Sequence, residues 1–302
     1  MDTKIQIQRL TILSIGVACI VFSLKYWAYY ITNSVALYSD VLESIVNILA
    51  ALAAWWAVKI SMKPADQDHP FGHHKAEYFS AFLEGVFIII AAIFILREAW
   101  LAFITVEAPK KPGIWLCPYL AACIINFFWG WLLIRQGKIH RSPALKADGV
   151  HLMTDVLTSF GILIGLVSAF ITEWAVIDPI LAVIVAINIL LQGGKVIYNA
   201  IQGLMDVGVE LNETMRIRNL ISVSACGAIE IHDLRTRVAG RVTFIEFHLV
   251  VPTDMQVGEA HQICNNIENA LEAEFKNVRV TIHIEPENEA KLHLGTAFVP
   301  FV

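Results

Sequence analysis

Six apolar stretches, at about 10–31, 34–58, 78–105, 114–134, 149–172 and 177–198, fill the first two-thirds of the chain and constrain its fold more than any other feature. A hydrocarbon layer about 30 Å thick is crossed by roughly 20 residues of helix, and a helix satisfies its own backbone polar groups inside lipid. The chain is therefore expected to be a membrane α-helical protein, with six transmembrane helices over residues 1–206. Composition agrees: of 302 residues, 57% are hydrophobic and 16% charged, where soluble domains carry about 25% charge. An ordinary soluble enzyme is excluded. The polar start, Met1 to Leu10, and the length of the first apolar run argue against a cleaved leader, so the first stretch is expected to remain as a helix.

An even number of spans puts both ends on one side, and the basic flanks choose which. Lys4, Arg9, Lys59, Lys63, Lys75, Arg135, Lys138, Arg141, Lys146 and Lys195 fall on one set of flanks, and Lys110 and Lys111 on the other. Both termini, and the loops at 59–77 and 135–148, are expected in the cytoplasm. Beyond Asp206 the charge density rises to that of a water-soluble domain, expected over 207–290 with a tail at 291–302. An amphipathic stretch, Glu210–Ser222, precedes alternating runs at Ile229–Val238 and Val242–Val251. A second amphipathic stretch at Gly258–Lys276 and a last alternating run at Val278–Ile284 follow. Period-two alternation reads as strands and the amphipathic stretches as helices, with a hairpin turn at Ala239-Gly240-Arg241. The order α-β-β-α-β predicts a small cytosolic α+β domain with both helices on one face of its sheet.

A net charge of −5 offers no basic face for nucleic acid. The five cysteines, Cys19, Cys117, Cys123, Cys226 and Cys264, form no CxxC. They are expected to be buried free thiols rather than disulfides or zinc ligands.

An ionisable side chain at the bilayer centre costs about 2.5–3.5 kcal/mol on insertion scales, so those that persist there are candidates for function. The second stretch carries Asp40, Glu43 and Asn47 and the fifth Asp148, His151 and Asp155, both at offsets of 0, 3 and 7 that share one helix face. Glu43 and Asn47 are one turn apart, as are His151 and Asp155, so each pair can aim at a common atom. Together they offer three oxygens and one nitrogen, a four-ligand set for a divalent transition metal. A buried hydrogen-bond network tying the two helices together is the other reading that the spacing allows. Asp40 and Asp148, a turn nearer one membrane face, are candidates for capping, for support of the ligands or for the ion's pathway.

Two further clusters lie outside the spans. In the loop after the second stretch, Pro70 and Gly72 let the chain fold back so that Asp66, His69 and His73 converge on a metal, the alternative being a solvated polar loop. In the soluble region His232, His248, His261, His283 and Glu285 are dense for so small a domain, and alternation puts His283 and Glu285 on one face of the last strand. Metal binding and ordinary strand histidines are both open readings there.

Four segments carry a resemblance: Ser34-Val35-Ala36-Leu37-Tyr38-Ser39-Asp40; His69-Pro70-Phe71-Gly72-His73-His74-Lys75-Ala76-Glu77; the pair His151 and Asp155; and His232-Asp233-Leu234-Arg235-Thr236-Arg237. In these, and over almost its whole length, the chain resembles the cation diffusion facilitator family, dimeric bacterial metal exporters with six membrane helices and a cytosolic metallochaperone-like domain. The resemblance implies that Glu43, Asn47, His151 and Asp155 form the transport site, and that Asp66, His69 and His73 form a loop site. It implies that His232, His248, His261, His283 and Glu285 hold cytosolic metal, and that Lys75 and Asp206 form a charge interlock near the interface of a homodimer. The chain departs from the zinc exporters of that family at Glu43 and Asn47, where Asp or His followed by Asp is usual. The amide removes a negative charge from the site, and Glu43 is longer than Asp by a methylene.

The expected function is export of a divalent transition metal by metal/proton antiport with alternating access across the bilayer. His151 ligates a metal only when unprotonated, and carboxylates shed protons on binding, which makes His151 and Glu43 the expected proton-coupling groups. One imidazole with three oxygens raises Fe(II), Mn(II) and Co(II) relative to Zn(II), while the stability order and the imidazole-rich outer clusters keep Zn(II) first. No organic cofactor is expected. An ATP-driven pump is excluded because the sequence has no GxxxxGK[ST] loop. A membrane metallohydrolase would need a substrate-binding motif beside its metal, and a pure metal sensor would not need ligands at the midplane. The 135–147 loop holds one histidine, His140, where many eukaryotic relatives are His-rich, which favours a bacterial inner membrane.

Overall fold

The computed structural model describes residues 3–32, 35–104, 116–172, 177–275 and 277–291, in two compact units, 1–201 and 202–302. Six long helices come first: α1 (Thr3–Thr32), α2 (Val35–Ser61), α3 (Ala76–Ile104), α4 (Leu116–Ile139), α5 (Pro143–Thr172) and α6 (Ile177–Leu204). Among the described residues, all but α5 contain a stretch long and apolar enough to cross a membrane. The described part of α5 is broken up by Lys146, Asp148, His151 and Asp155.

The helices overrun the apolar stretches at the ends expected to face the cytoplasm. α1 begins at Thr3, α2 continues to Ser61, α4 to Ile139 and α6 to Leu204, and α5 begins at Pro143. Apolar residues mark the hydrocarbon, whereas the helical hydrogen-bond ladder continues into the polar border. α5 has its own start signal: Ser142 Oγ accepts the Leu145 amide at 3.4 Å, and Pro143 fits the first helical position, where no donor is needed.

The first unit is apolar outside and polar within. Trp27, Trp56, Phe94, Trp100, Phe128 and Leu191 are exposed, while Lys25, Asn47, Glu77, Glu84, Asp148, His151 and Asp155 are buried. That distribution suits a solvent of acyl chains. α1, α2, α4 and α5 pack around Ile7, Ala54, Val58, Leu133, Leu145 and Leu152, and α3 lies against α2 and α5. Small residues set the closest approaches. A Cβ on Gly149 of α5 would stand 2.8 Å from the Gly130 carbonyl oxygen of α4, and one on Gly85 of α3 would stand 2.6 Å from the Ile197 side chain of α6.

The second unit contains α7 (Leu211–Ser224), β1 (Glu230–Ala239), β2 (Val242–Val251), α8 (Val257–Glu274) and β3 (Val278–Pro286). The sheet order is β1-β2-β3. β1 and β2 form an antiparallel hairpin and β3 returns parallel to β2. The two-residue turn begins with Gly240 at φ 55°, the left-handed conformation such hairpins require at that position. Ile245, Phe247 and Leu249 of β2 pack against Ile217 and Ile221 of α7 and Ile263, Ile267 and Leu271 of α8. Both helices thus cover one face, as the α-β-β-α-β pattern predicts, and the opposite face stays open.

The expectation that all five cysteines are buried is corrected. Cys123 and Cys264 are buried, but Cys19, Cys117 and Cys226 are exposed. Cys19 and Cys117 lie on α1 and α4, where a thiol facing lipid behaves as a small apolar group, and Cys226 occupies the turn before β1. Burial raises the Cys264 thiol above its usual range.

Candidate metal centres

α2 and α5 lie side by side and bring Asn47, His151 and Asp155 together. The Asn47 amide donates to Asp155 Oδ2, and His151 Nε2 lies 2.6 Å from Asn47 Oδ1. With its nitrogen committed to Asp155, Asn47 presents its oxygen as an acceptor, which assigns the proton to Nε2 of the ring. All three side chains are buried. The hydrogen-bond network foreseen as an alternative to a metal site is thus formed by the candidate ligands themselves. Glu43 is one turn before Asn47 on α2, but its side chain, like that of Asp40, lies outside the described residues. Asp148 is held from a third helix: Ser14 Oγ of α1 donates to Asp148 Oδ2 at 2.6 Å, and Trp129 Nε1 of α4 donates to Ser14 Oγ at 3.2 Å.

The loop between α2 and α3 folds back as its Pro70 and Gly72 suggest, Gly72 having φ 87°. Asp66 Oδ1 lies 3.3 Å from His69 Nδ1 and Asp66 Oδ2 lies 3.4 Å from His73 Nε2. The two imidazoles are 4.3 Å apart between centroids, and the three residues offer ligand atoms within 4.8 Å of one another. The His69 backbone N–H donates to Asp66 Oδ1 at 2.8 Å and holds the Asp66 carboxyl below its usual range. Asp66 therefore stays ionised under mild acid.

On the open face of the sheet three histidines stand in a row. His232 pairs with His248 across β1 and β2, and His248 with His283 across β2 and β3, with ring centroids 5.1 and 4.9 Å apart. Glu285 reaches all three: its oxygens lie 3.1 Å from His232 Nε2, 2.8 Å from His248 Nδ1 and 3.7 Å from His283 Nε2. Glu230 Oε1 accepts from His232 Nδ1 at 2.9 Å, which leaves the Nε2 lone pair facing Glu285. His232 Nε2, His248 Nδ1 and Glu285 Oε2 are buried and close, yet make no geometrically sound hydrogen bond. Lone pairs converging in this way fit a cation.

His261 does not join this group. It is exposed on α8, and α8 covers the other face of the sheet, so within one chain the ring points away. Lys75 and Asp206 fall in different units; within the second unit, Asp206 pairs with Arg237 Nη1 at 3.3 Å.

The structure adds residues that the sequence pattern missed. Asp233 offers a ligand atom alongside His232 and His248. Strict alternation would turn it to the opposite face, but the register slips between His232 and Arg235, and Asp233 takes φ 52°. Such a bulge puts neighbouring residues on one side. Lys291 Nζ donates to Asp233 Oδ2 at 3.2 Å, holding that carboxyl below its usual range. Lys25 and Glu84 are further buried ionisable groups within the spans.

The family model described as "Cation efflux transmembrane domain" matches residues 11–205, and that described as "Cation efflux protein, cytoplasmic domain" matches residues 210–287. An uncharacterized transporter of Synechocystis sp. is 39% identical over 280 residues, spanning 93% of this chain and 90% of that protein. The cation-efflux pump FieF of Yersinia pestis is 32% identical over 275 residues, spanning 90% of each. Among solved structures, the Zn form of the transporter CzrB is 47% identical, spanning 28% of this chain and 96% of the other, with a TM-score of 0.27.

Proposed function

We propose, from the fact that this chain belongs to the cation efflux (cation diffusion facilitator) family, that this multi-pass cation efflux transporter exports a divalent transition metal in exchange for protons. The meeting of Asn47, His151 and Asp155 carries this reading, because buried polar groups at such depth are maintained for function. A divalent cation arriving from the cytosol would take Nε2 of His151, with Asn47 Oδ1 and an Asp155 oxygen, once the ring carries its one remaining proton on Nδ1; a doubly protonated ring releases its Nε2 proton in the exchange. Glu43, one turn away on α2, is assigned the fourth position and, with His151, the exchanged proton. Helices rock about this fixed site to alternate access.

One imidazole among oxygens suits Zn(II), Fe(II), Mn(II) and Co(II); the stability order puts Zn(II) ahead of Fe(II) and Mn(II). The loop and sheet clusters would hold further metal, whose charge offsets Asp66 in one and Glu285 and Asp233 in the other. The sheet domain is assigned the role of metal sensor and clamp of a homodimer. His261 serves the sheet cluster only from a second copy, and the Lys75 and Asp206 interlock belongs to the same dimer. Both termini are assigned to the cytoplasm and the protein to the inner membrane, following the basic flanks.

Uptake into proteoliposomes at fixed pH, comparing Zn(II), Fe(II), Mn(II), Co(II) and Cd(II), tests the substrate. Zn(II) is expected to accumulate fastest, with Fe(II), Mn(II) or Co(II) still carried. Accumulation of none of them would overturn the transport reading, and Mn(II) or Fe(II) ahead of Zn(II) would reverse the order.

A further inference from the structure

α3 carries a third polar face with the 0, 3, 7 spacing seen on α2 and α5: Glu77, Ser80 and Glu84, all buried. At the start of the helix Glu77 is well supplied with donors, Ser61 Oγ donating to Oε1 at 2.8 Å and Ser142 Oγ to Oε2. Two turns further in, Glu84 is 0% exposed. Neither of its oxygens has a hydrogen-bond partner, nor does Ser80 Oγ one turn before it.

Among the described residues, the elements packed on this face leave Glu84 without a cation. From α5, Ala147 packs on Ala81, and the next residue is Asp148, whose charge reaches Glu84. α6 contributes Gly193 and Ile197 against Gly85 and Ile189 against Ile88. The ionisable side chains described on α2 and α6 are Lys59, Lys195 and Tyr198, all exposed. An ionised Glu84 would be charged, without donors and opposed by a second acid, which a buried carboxylate does not sustain; a carboxylic acid fits the setting.

We infer that Glu84 is a proton-carrying group of the transporter, set one helix away from the metal: it passes its proton along Ser80 and Glu77 to the cytoplasmic end of α3 and is then reprotonated from Asp148. The O–H bond of Glu84 breaks as one forms at Ser80, whose own proton moves on to the Glu77 carboxylate, and the carboxylate left at Glu84 is reprotonated as the O–H bond of Asp148 breaks. The inference rests on the antiport reading above. It gives inward protons a route outside the α2–α5 site, where metal and proton contend for one imidazole nitrogen.

The test uses the full chain in proteoliposomes, with Zn(II) as the probe and internal dyes for metal and pH. Glu84→Gln keeps the shape and removes the proton. Zn(II) stoichiometry is expected to be unchanged, while metal-driven proton flux falls about tenfold or more and the pH dependence of uptake flattens; Glu84→Asp restores part of the flux. Wild-type proton flux in Glu84→Gln would overturn the inference, and so would the loss of one bound Zn(II), which would make Glu84 a metal ligand. Wild-type uptake with no proton movement would remove the antiport reading itself, before any variant is made. Infrared spectra give a readout independent of turnover: the carbonyl stretch of a protonated buried carboxyl is expected in the wild type, absent in Glu84→Gln and displaced in Glu84→Asp. Coincident spectra would overturn the assignment even if the variants were inactive.

Discussion

His151→Ala reduces metal uptake into proteoliposomes to the level of protein-free vesicles. The membrane site has a single imidazole, whose Nε2 lies 2.6 Å from Asn47 Oδ1, and the remaining donors are oxygens that bind transition metals less selectively. Loss of a group that merely supports a metal ligand costs roughly 10–100-fold, so loss of the only nitrogen ligand is expected to exceed that. The metal-driven proton flux should vanish with uptake. Circular dichroism, and Zn(II) binding at the loop and sheet clusters, should be unchanged, since His151 packs inside the first unit only. Uptake at the wild-type rate would remove His151 from the mechanism.

The second large effect is expected at Glu285. Its two oxygens face three imidazoles, so Glu285→Ala removes the one carboxylate common to the row. Zn(II) affinity of the sheet cluster should fall by about 10–100-fold or more, seen as lost stoichiometry in equilibrium dialysis of the full chain. The wild-type rise in thermal stability on adding Zn(II) should shrink with it, because ligand binding stabilises only the folded state. His261→Ala separates two arrangements. A dimer in which a second copy supplies that ring loses affinity, and a cluster complete within one chain does not.

Much of this was legible in the sequence because periodicity reports burial. The six helices and the α-β-β-α-β order follow from runs and alternation that packing then uses, as in the odd-numbered residues of β2 that face α7 and α8. The helix ends were harder to read, since hydropathy marks lipid rather than hydrogen bonding, and α5 begins at a Ser-Pro cap among polar residues. The ligand pairs on α2 and α5 were visible as residues one turn apart. Asp233 was hidden by the bulge in β1, which alternation cannot anticipate. Composition groups His261 with the other histidines, although its helix covers the far side of the sheet. Glu84 carries no such signal, because its face on α3 pairs it with a serine rather than with a second metal ligand.

X-ray absorption at the zinc edge tests the central claim most directly, using full-length protein in which Asp66, His69, His73, His232, His248, His283 and Glu285 are replaced by alanine so that the membrane site alone remains. The account predicts bound zinc with one imidazole nitrogen and otherwise oxygen neighbours, and loss of that zinc on adding His151→Ala. Two or more imidazoles around the metal, a sulfur neighbour, or no bound zinc at all would contradict it.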